Sequence, residues 1–229
     1  MKTALITGTS SGIGLATANM LLSKGWLVLG LSRSKSLIKH SNYIDYNLDL
    51  TDINNTELLI RKLAKEYSIS LVINNAGVGY YGLCEELNSR KIQEIVTLNL
   101  EIPILITSLL MRNLKSVSGT IINISSVTAE KSNPHGAAYG ASKAGLTSFG
   151  ASIFDEARKY GVRVITIEPD MTLTNLYRNA DFTASEDDGC FLEPEDVANA
   201  VDYAITSGYV TKMILQPRFH RIRRKDPVK

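Results

Sequence analysis

Apolar positions along the chain fall into short runs of β-type separated by longer stretches of helical spacing. Ala4–Thr7, Trp26–Leu31, Tyr43–Leu48, Ser70–Ile73, Thr120–Ile124, Val162–Ile167 and Lys212–Gln216 read as seven strands. Helical patterns cover Leu15–Lys24, Ile53–Tyr67, Ser89–Arg112, a stretch through Tyr139 and Lys143 to about Tyr160, and Pro194–Ser207. Pro103 falls inside the third of these. It has no N–H to give the carbonyl of Asn99, so a kink is expected there. Residues 175–192 carry no clear period but several acids (Asp181, Glu186, Asp187, Asp188), which reads as a mobile loop and a candidate lid. There is no internal repeat and no linker.

Composition changes this picture little. The 229 residues are enough for one domain with a large core, and 44% hydrophobic with 21% charged residues is ordinary for a globular protein. A net charge of +2 predicts no strong binding to nucleic acid. The charge is uneven, however. Residues 212–229 hold seven Lys/Arg and one acid, while the rest of the chain is net −4. Without interleaved aromatics, a solvated tail over 217–229 or a subunit contact is expected. Cys84 and Cys190 match no metal or redox spacing, so reduced thiols and a cytoplasmic protein are expected. The opening M-K-T-A-L-I-T-G is too short an apolar run for a signal peptide, and no apolar stretch is expected to reach the ~20 residues of a membrane span.

The chemistry lies at the ends of the strands. G-T-S-S-G-I-G, Gly8 to Gly14, follows the first strand and opens a helix. Glycines there let the backbone approach a phosphate, and the helix N-terminus offers free N–H groups and a positive dipole end. After the second strand stand Ser32, Arg33, Ser34 and Lys35, with no acid to hold a ribose 2′-hydroxyl. A guanidinium can instead grip a 2′-phosphate, which points to NADP(H); the alternative is that Arg33 is a solvated loop residue. The fourth strand runs into N-N-A-G, Asn74 to Gly77, a turn in which amide side chains can satisfy backbone groups beside a ligand. The fifth strand delivers Ser125 and Ser126, either of which can donate to a developing oxyanion. Tyr139 and Lys143, four apart in an alanine-rich helix, share one face. A fixed ammonium beside a phenol favours the phenolate, which would make Tyr139 a usable acid/base near neutral pH. Taken alone, Y-x-x-x-K is also what an ordinary exposed helix pair looks like.

In order, these motifs make the chain resemble the short-chain dehydrogenase/reductase superfamily from Thr7 to about Gln216: T-G-x-x-x-G-x-G at Thr7–Gly14, Asp49-Leu50, N-N-A-G, Asn99, Ser126 thirteen residues before the tyrosine of Y-G-A-S-K, and P-x-M-T-x-T at Pro169–Thr174. The resemblance implies roles. Tyr139 is the acid/base, Lys143 lowers its pKa and holds the nicotinamide ribose, Ser126 rather than Ser125 orients the substrate oxygen, and Asn99 fixes a water in a relay through Lys143. Gly8, Ser10, Ser11, Gly12, Ile13 and Gly14 form the pyrophosphate turn. Asp49 and Leu50 meet the adenine, Asn75, Ala76 and Gly77 lie along the cofactor, and Pro169, Thr172 and Thr174 meet the nicotinamide end. Three departures stand out: Asp170 occupies the place of the family's usual glycine, Ser11 stands where some NADP-preferring members have a base, and the C-terminus lacks the glycine-rich ending tied to the usual tetramer.

The expectation is therefore one α/β domain: a doubly wound parallel sheet in the order 3-2-1-4-5-6-7, helices on both faces. Its function would be NADP(H)-dependent interconversion of a carbonyl and an alcohol, in a homodimer or homotetramer, with no metal, nucleic-acid or membrane partner. Tyr80, Tyr81, Thr128, Asn133, His135 and the 175–192 loop would shape the substrate pocket. A catalytically silent NADP(H) sensor or scaffold and an NAD-linked alcohol dehydrogenase are the rivals.

Overall fold

The computed structural model describes residues 1–185, 187–219 and 221–224. Seven strands form one parallel sheet: β1 (Thr3–Thr7), β2 (Leu27–Ser32), β3 (Tyr43–Asn47), β4 (Ile69–Asn74), β5 (Thr120–Ile124), β6 (Arg163–Pro169) and β8 (Lys212–Leu215). Their order is β3-β2-β1-β4-β5-β6-β8, the arrangement expected from the sequence. Every pairing is parallel. The central strands are apolar without alternation because both faces are covered. In β1, Ala4 and Ile6 pack toward α1 (Gly12–Ser23) and α6 (Pro194–Thr206), through Leu21, Leu22, Val197 and Val201. Leu5 packs the other way, in the cluster built from α2 (Ile53–Glu66), α4 (Ile102–Ser116) and α5 (Ala137–Ala157).

The chain order reverses between β1 and β4, so the carboxyl ends of these two strands open a crevice. Hydrogen bonds hold its floor. Thr7 Oγ1 accepts from the N–H groups of Asn75 (3.0 Å) and Ala76 (2.9 Å), and Asn75 Nδ2 donates to Thr7 O (2.8 Å). Of the two side-chain amides in N-N-A-G, that of Asn75 is thus spent on β1, and that of Asn74 donates to Asn123 Oδ1 at 2.8 Å.

The Ser89 to Ser116 rod is not simply kinked. α3 (Ser89–Val96) and α4 are joined by a wide π-turn over Thr97–Glu101, in which the Ile102 N–H reaches back to Thr97 O. The π-turn lies just before Pro103, where the missing N–H interrupts the regular ladder. Contrary to the sequence expectation, this rod is long and apolar enough to cross a membrane by length and composition alone. Its face of Ile102, Ile106, Leu110 and Leu114 is buried against Val72 and Ile121, so the sheet accounts for that character.

Two further expectations change. The 175–192 loop carries a short helical turn (Asn175–Asn179) and β7 (Phe182–Ala184). The tail is not simply solvated: β9 (Ile222–Arg224) pairs antiparallel with β7, and Phe219 N–H donates to Gly189 O at 2.8 Å. A period-based reading misses three-residue strands because they are too short to show alternation. Glu186, His220 and residues 225–229, part of the expected lid and tail, lie outside the described residues.

α1 begins at Gly12 with no side-chain cap, which leaves its first N–H groups turned toward the crevice. Gly14 must be glycine for a different reason: a Cβ there would meet Gly8 O and come to 2.5 Å from Asn75 Nδ2. Gly14→Ala is therefore expected to push α1 from the crevice, costing about 1–3 kcal/mol of stability and weakening dinucleotide binding. Chemical denaturation and cofactor fluorescence titration check both; wild-type values in each would remove this reason for the glycine.

Candidate active site

One long trough runs over the carboxyl ends of β1, β2, β4, β5 and β6. Its walls include Gly8, Ser10, Ser11, Gly12, Ile13, Ser32, Arg33, Asp49, Leu50, Asn75, Ala76, Gly77, Ser126, Tyr139, Lys143, Pro169, Thr172 and Thr174. Of the catalytic and cofactor-binding residues expected from the sequence, Gly14 and Asn99 stand behind this wall, while Tyr81, Thr128, Asn133 and His135 line a neighbouring cavity. Gly14 acts through the close approach just described. Asn99 is fully buried: its Oδ1 accepts from Val78 N–H (2.9 Å), and its Nδ2 donates to Val78 O (2.9 Å) and Ser142 Oγ (3.1 Å). Its side chain thus fastens the strand leaving N-N-A-G to α5, since Ser142 Oγ in turn donates to Tyr139 O at 2.7 Å.

At one end of the trough, Ser32 Oγ donates to Ser34 O (2.7 Å) and Asn47 Nδ2 donates to Arg33 O (3.0 Å), which fixes the turn after β2. The Arg33 guanidinium lies 3.4 Å from a Glu94 carboxylate and is mostly exposed. Tyr80 does not shape a substrate pocket; its hydroxyl donates to Glu94 at 2.7 Å. Partial burial alone would raise the Asp49 pKa, but the hydroxyl and N–H of Thr51 and the Arg33 charge together hold it below the usual value. At the middle, Thr174 Cγ2 would stand 3.0 Å from a Cβ on Gly12, so the base of the loop closes against the phosphate turn.

At the other end sits the reactive group. Ser126 ends β5, and its Oγ accepts from Thr128 N–H (3.2 Å) and Thr128 Oγ1 (3.0 Å). With its acceptor positions filled, the hydroxyl has its own proton left to donate, and it stands near enough to the Tyr139 phenol to pull that group's pKa down. Ser125 instead serves structure: its Oγ lies 3.0 Å from Lys143 O and 2.8 Å from Thr147 Oγ1. Lys143 is buried, and its Nζ donates to Ile124 O at 2.8 Å.

The electrostatics correct one expectation. Burial pushes the Tyr139 phenol up to about 12, against a smaller downward pull from Ser126. The ammonium stands 5.9 Å from the centre of the tyrosine ring and is bonded to a backbone carbonyl. Protein groups alone therefore leave Tyr139 protonated, because desolvation outweighs the pull of the Ser126 hydroxyl. Burial also lowers Lys143 to about 8.

Asp170, the departure beside Pro169, causes no backbone strain: among the described residues only Ser118 and His135 are non-glycines with positive φ. Its Oδ1 accepts from Met171 N–H (2.8 Å) and its O from Thr172 Oγ1 (2.9 Å), so the carboxylate itself organises the turn. The sequence reading passed over two contributors. Glu168 is fully buried, accepts from Thr147 Oγ1 (2.9 Å) and pairs with Lys212 (3.1 Å). An acid closing the apolar run V-I-T-I was the signal. Arg178 lines the trough from the 175–192 loop, where nothing in the pattern marks it.

The comparisons agree with this geometry. A sequence profile described as short chain dehydrogenase matches residues 2–184. The chain belongs to the short-chain dehydrogenase family. It is 34% identical over 183 residues to a 3-oxoacyl-(acyl-carrier-protein) reductase of Buchnera aphidicola, covering 76% of this chain and 75% of that one. It is 33% identical over 230 residues to a benzil reductase ((S)-benzoin forming) of Bacillus cereus, covering 88% and 92%. A short-chain dehydrogenase structure from Streptomyces avermitilis superposes with a TM-score of 0.83 at 25% identity, over 93% of this chain and 87% of that one. An alcohol dehydrogenase from Thermococcus sibiricus, complexed with 5-hydroxy-NADP, shares the fold with a TM-score of 0.84 at 22% identity, over 96% and 98%. This short-chain dehydrogenase is thus a nicotinamide-dependent oxidoreductase acting on CH–OH and C=O groups. The trough fits such a cofactor: uncapped N–H groups, a glycine turn and a cation are present where a dinucleotide needs them.

The buried ammonium has a measurable consequence. Holding Lys143 at about 8 rather than 10.5 destabilises the fold by roughly 3 kcal/mol at neutral pH. The folded state releases this proton near pH 8 and the unfolded chain only near 10.5. The penalty is therefore full below pH 8 and fades as pH rises to 10.5. Lys143→Met should melt roughly 6–12 °C above wild type at pH 7, with the gap narrowing between pH 8 and 10.5. Equal melting temperatures, or a gap independent of pH, would refute the assignment.

Proposed function

We propose that this short-chain dehydrogenase is an NADP(H)-dependent carbonyl reductase in which Tyr139 delivers the proton. The observation that carries the reading is the convergence of two proton donors on one space: the Tyr139 phenol, kept protonated by burial, and the Ser126 hydroxyl, its lone pairs occupied by Thr128. A bound nicotinamide supplies the hydride. Ser126 donates to the carbonyl oxygen as negative charge develops on it. Tyr139 passes its phenolic proton to that same oxygen. Lys143, charged below pH about 8, offsets the phenolate left behind. Asn99 holds Val78 and Ser142 in place, and in this reading its backbone carbonyl, denied a partner by Pro103, holds the water that returns a proton through Lys143.

Reduction is the direction favoured by a protonated tyrosine, and both relatives named above are reductases. Arg33 supports NADP(H): positions 32–35 carry no acid, and Arg33 lines the trough. Its pairing with Glu94 favours the NAD-linked reading, since it occupies the guanidinium. An exposed pair at 3.4 Å is worth little, though, and gives way to a phosphate. The silent-sensor reading does not account for the reactive set. A homodimer or homotetramer belongs to this proposal, supported by the exposed Ile92, Val96 and Ile104 on the α3–α4 rod. So does a cytoplasmic setting, supported by two free cysteines.

Tyr139→Phe should lower turnover at least ~100-fold, the usual scale of acid/base catalysis, with NADPH binding retained. Steady-state rates and fluorescence titration decide it; turnover near wild type sinks the assignment. Arg33→Asp should raise the KM for NADPH by at least ~10-fold and leave that for NADH far less affected. A wild-type enzyme already faster with NADH in parallel assays would show the cofactor reading to be mistaken.

A further inference from the structure

The relatives leave open whether the carbonyl is carried on an acyl chain or beside aromatic rings. A second cavity of about 680 Å³ opens from Ser126 and Tyr139 on the side away from the phosphate turn. Its inner wall is a contiguous aromatic group. The Tyr81 ring lies 5.9 Å from that of Tyr139, 5.9 Å from that of Tyr177 with an interplanar angle of 28°, and 5.1 Å from that of Phe182 at 77°. Tyr177 and Phe182 are themselves 5.8 Å apart. These are the separations at which stacked and edge-on rings attract one another, and they present both faces and edges to a further ring. The volume is about four times the ~150 Å³ that accommodates one benzene in an apolar cavity.

Charge narrows the class. Asp170 lines both this cavity and the trough, close enough to Tyr177 to help raise its phenol. A carboxylate there opposes a substrate that carries its own carboxylate next to the reacting carbonyl. Asp181 adds a second acid to the lining and Lys131 and Arg218 add two cations, so the formal charges of the cavity balance and a neutral ketone fits it.

The tail contributes to the same lining, through Pro217, Arg218 and Ile222. The β7–β9 pairing sets Phe182 opposite Arg224 and Ala184 opposite Ile222 in register, and Ser185 N–H donates to Arg221 O at 3.1 Å. The tail is therefore bonded to the strand that carries the aromatic wall, and its position fixes where Phe182 stands.

We infer that the substrate is a neutral aryl ketone or diketone whose ring packs against Tyr81, Tyr177 and Phe182, with Pro217, Arg218 and Ile222 of the tail completing the lining. This rests on the carbonyl-reductase reading above. The test is oxidation of NADPH and of NADH with benzil, 2-butanone and acetoacetyl-CoA, comparing kcat/KM. Benzil is expected to be preferred over both. Phe182→Leu, which keeps an apolar side chain but removes the ring, should lower the benzil to 2-butanone ratio roughly tenfold through KM. Phe182→Tyr, which keeps the ring, should retain the ratio. A preference for acetoacetyl-CoA, or an unchanged ratio in a folded Phe182→Leu enzyme, overturns the substrate class and leaves the reductase reading standing. No oxidation with any of the three overturns both.

Discussion

A single buried cation constrains the whole active end of this molecule. Lys143 points inward from α5 beneath the end of β5, and its ammonium is satisfied by Ile124 O. Desolvating it costs free energy that the rest of the fold must offset. The helix that carries it cannot shift without breaking that bond. Tyr139, one turn earlier, is therefore fixed in the same act, and Ser142 and Asn99 tie both to the turn after β4. Ser125, Thr147 and Glu168 hold the other side of α5, with Lys212 of β8 closing the chain. The reactive end is the place where four strands and one helix are cross-linked by buried polar groups. Such a network is stable only if nearly every member finds its partner.

The opposite end of the trough is built on another principle. There the backbone does most of the recognition: the uncapped start of α1, glycines that bring main chain close to the ligand, and amides that fasten the turns to β1. Charge enters at the periphery, where Arg33 lies half in solvent beside Glu94. The two ends thus divide the work. One is rigid and desolvated, which chemistry needs, and the other is open and dominated by free N–H groups, which suits a large anionic cofactor. The basic character of the tail looks different in three dimensions. Lys212 is paired with Glu168 and Glu130, and Arg221 with Asp187, so part of that charge answers acids of the chain itself.

Much of this was legible without coordinates. The seven strands, the phosphate turn and the Tyr139–Lys143 pair follow from local pattern, because apolar period and glycine placement act through backbone geometry over a few residues; the strand order and the choice of Ser126 over Ser125 rest on the family resemblance. Local pattern could not say how Tyr139 titrates. An ammonium four residues away suggests a lowered phenol, yet burial, which depends on what covers the helix, raises it. Nor could it foresee the use of Asp170 as a turn-forming acceptor or of Asn99 as a side-chain splice between segments.

The sequence by itself determined the class of fold, the glycine turn of the crevice and the proposed reacting groups, since each is written in short motifs. Only the tertiary structure decided how those groups are charged and what stands across from them. The joining of a loop at Phe182 to a tail at Arg224 brings together residues 42 positions apart in the chain, and desolvation likewise depends on what distant segments cover; no short-range period encodes such meetings.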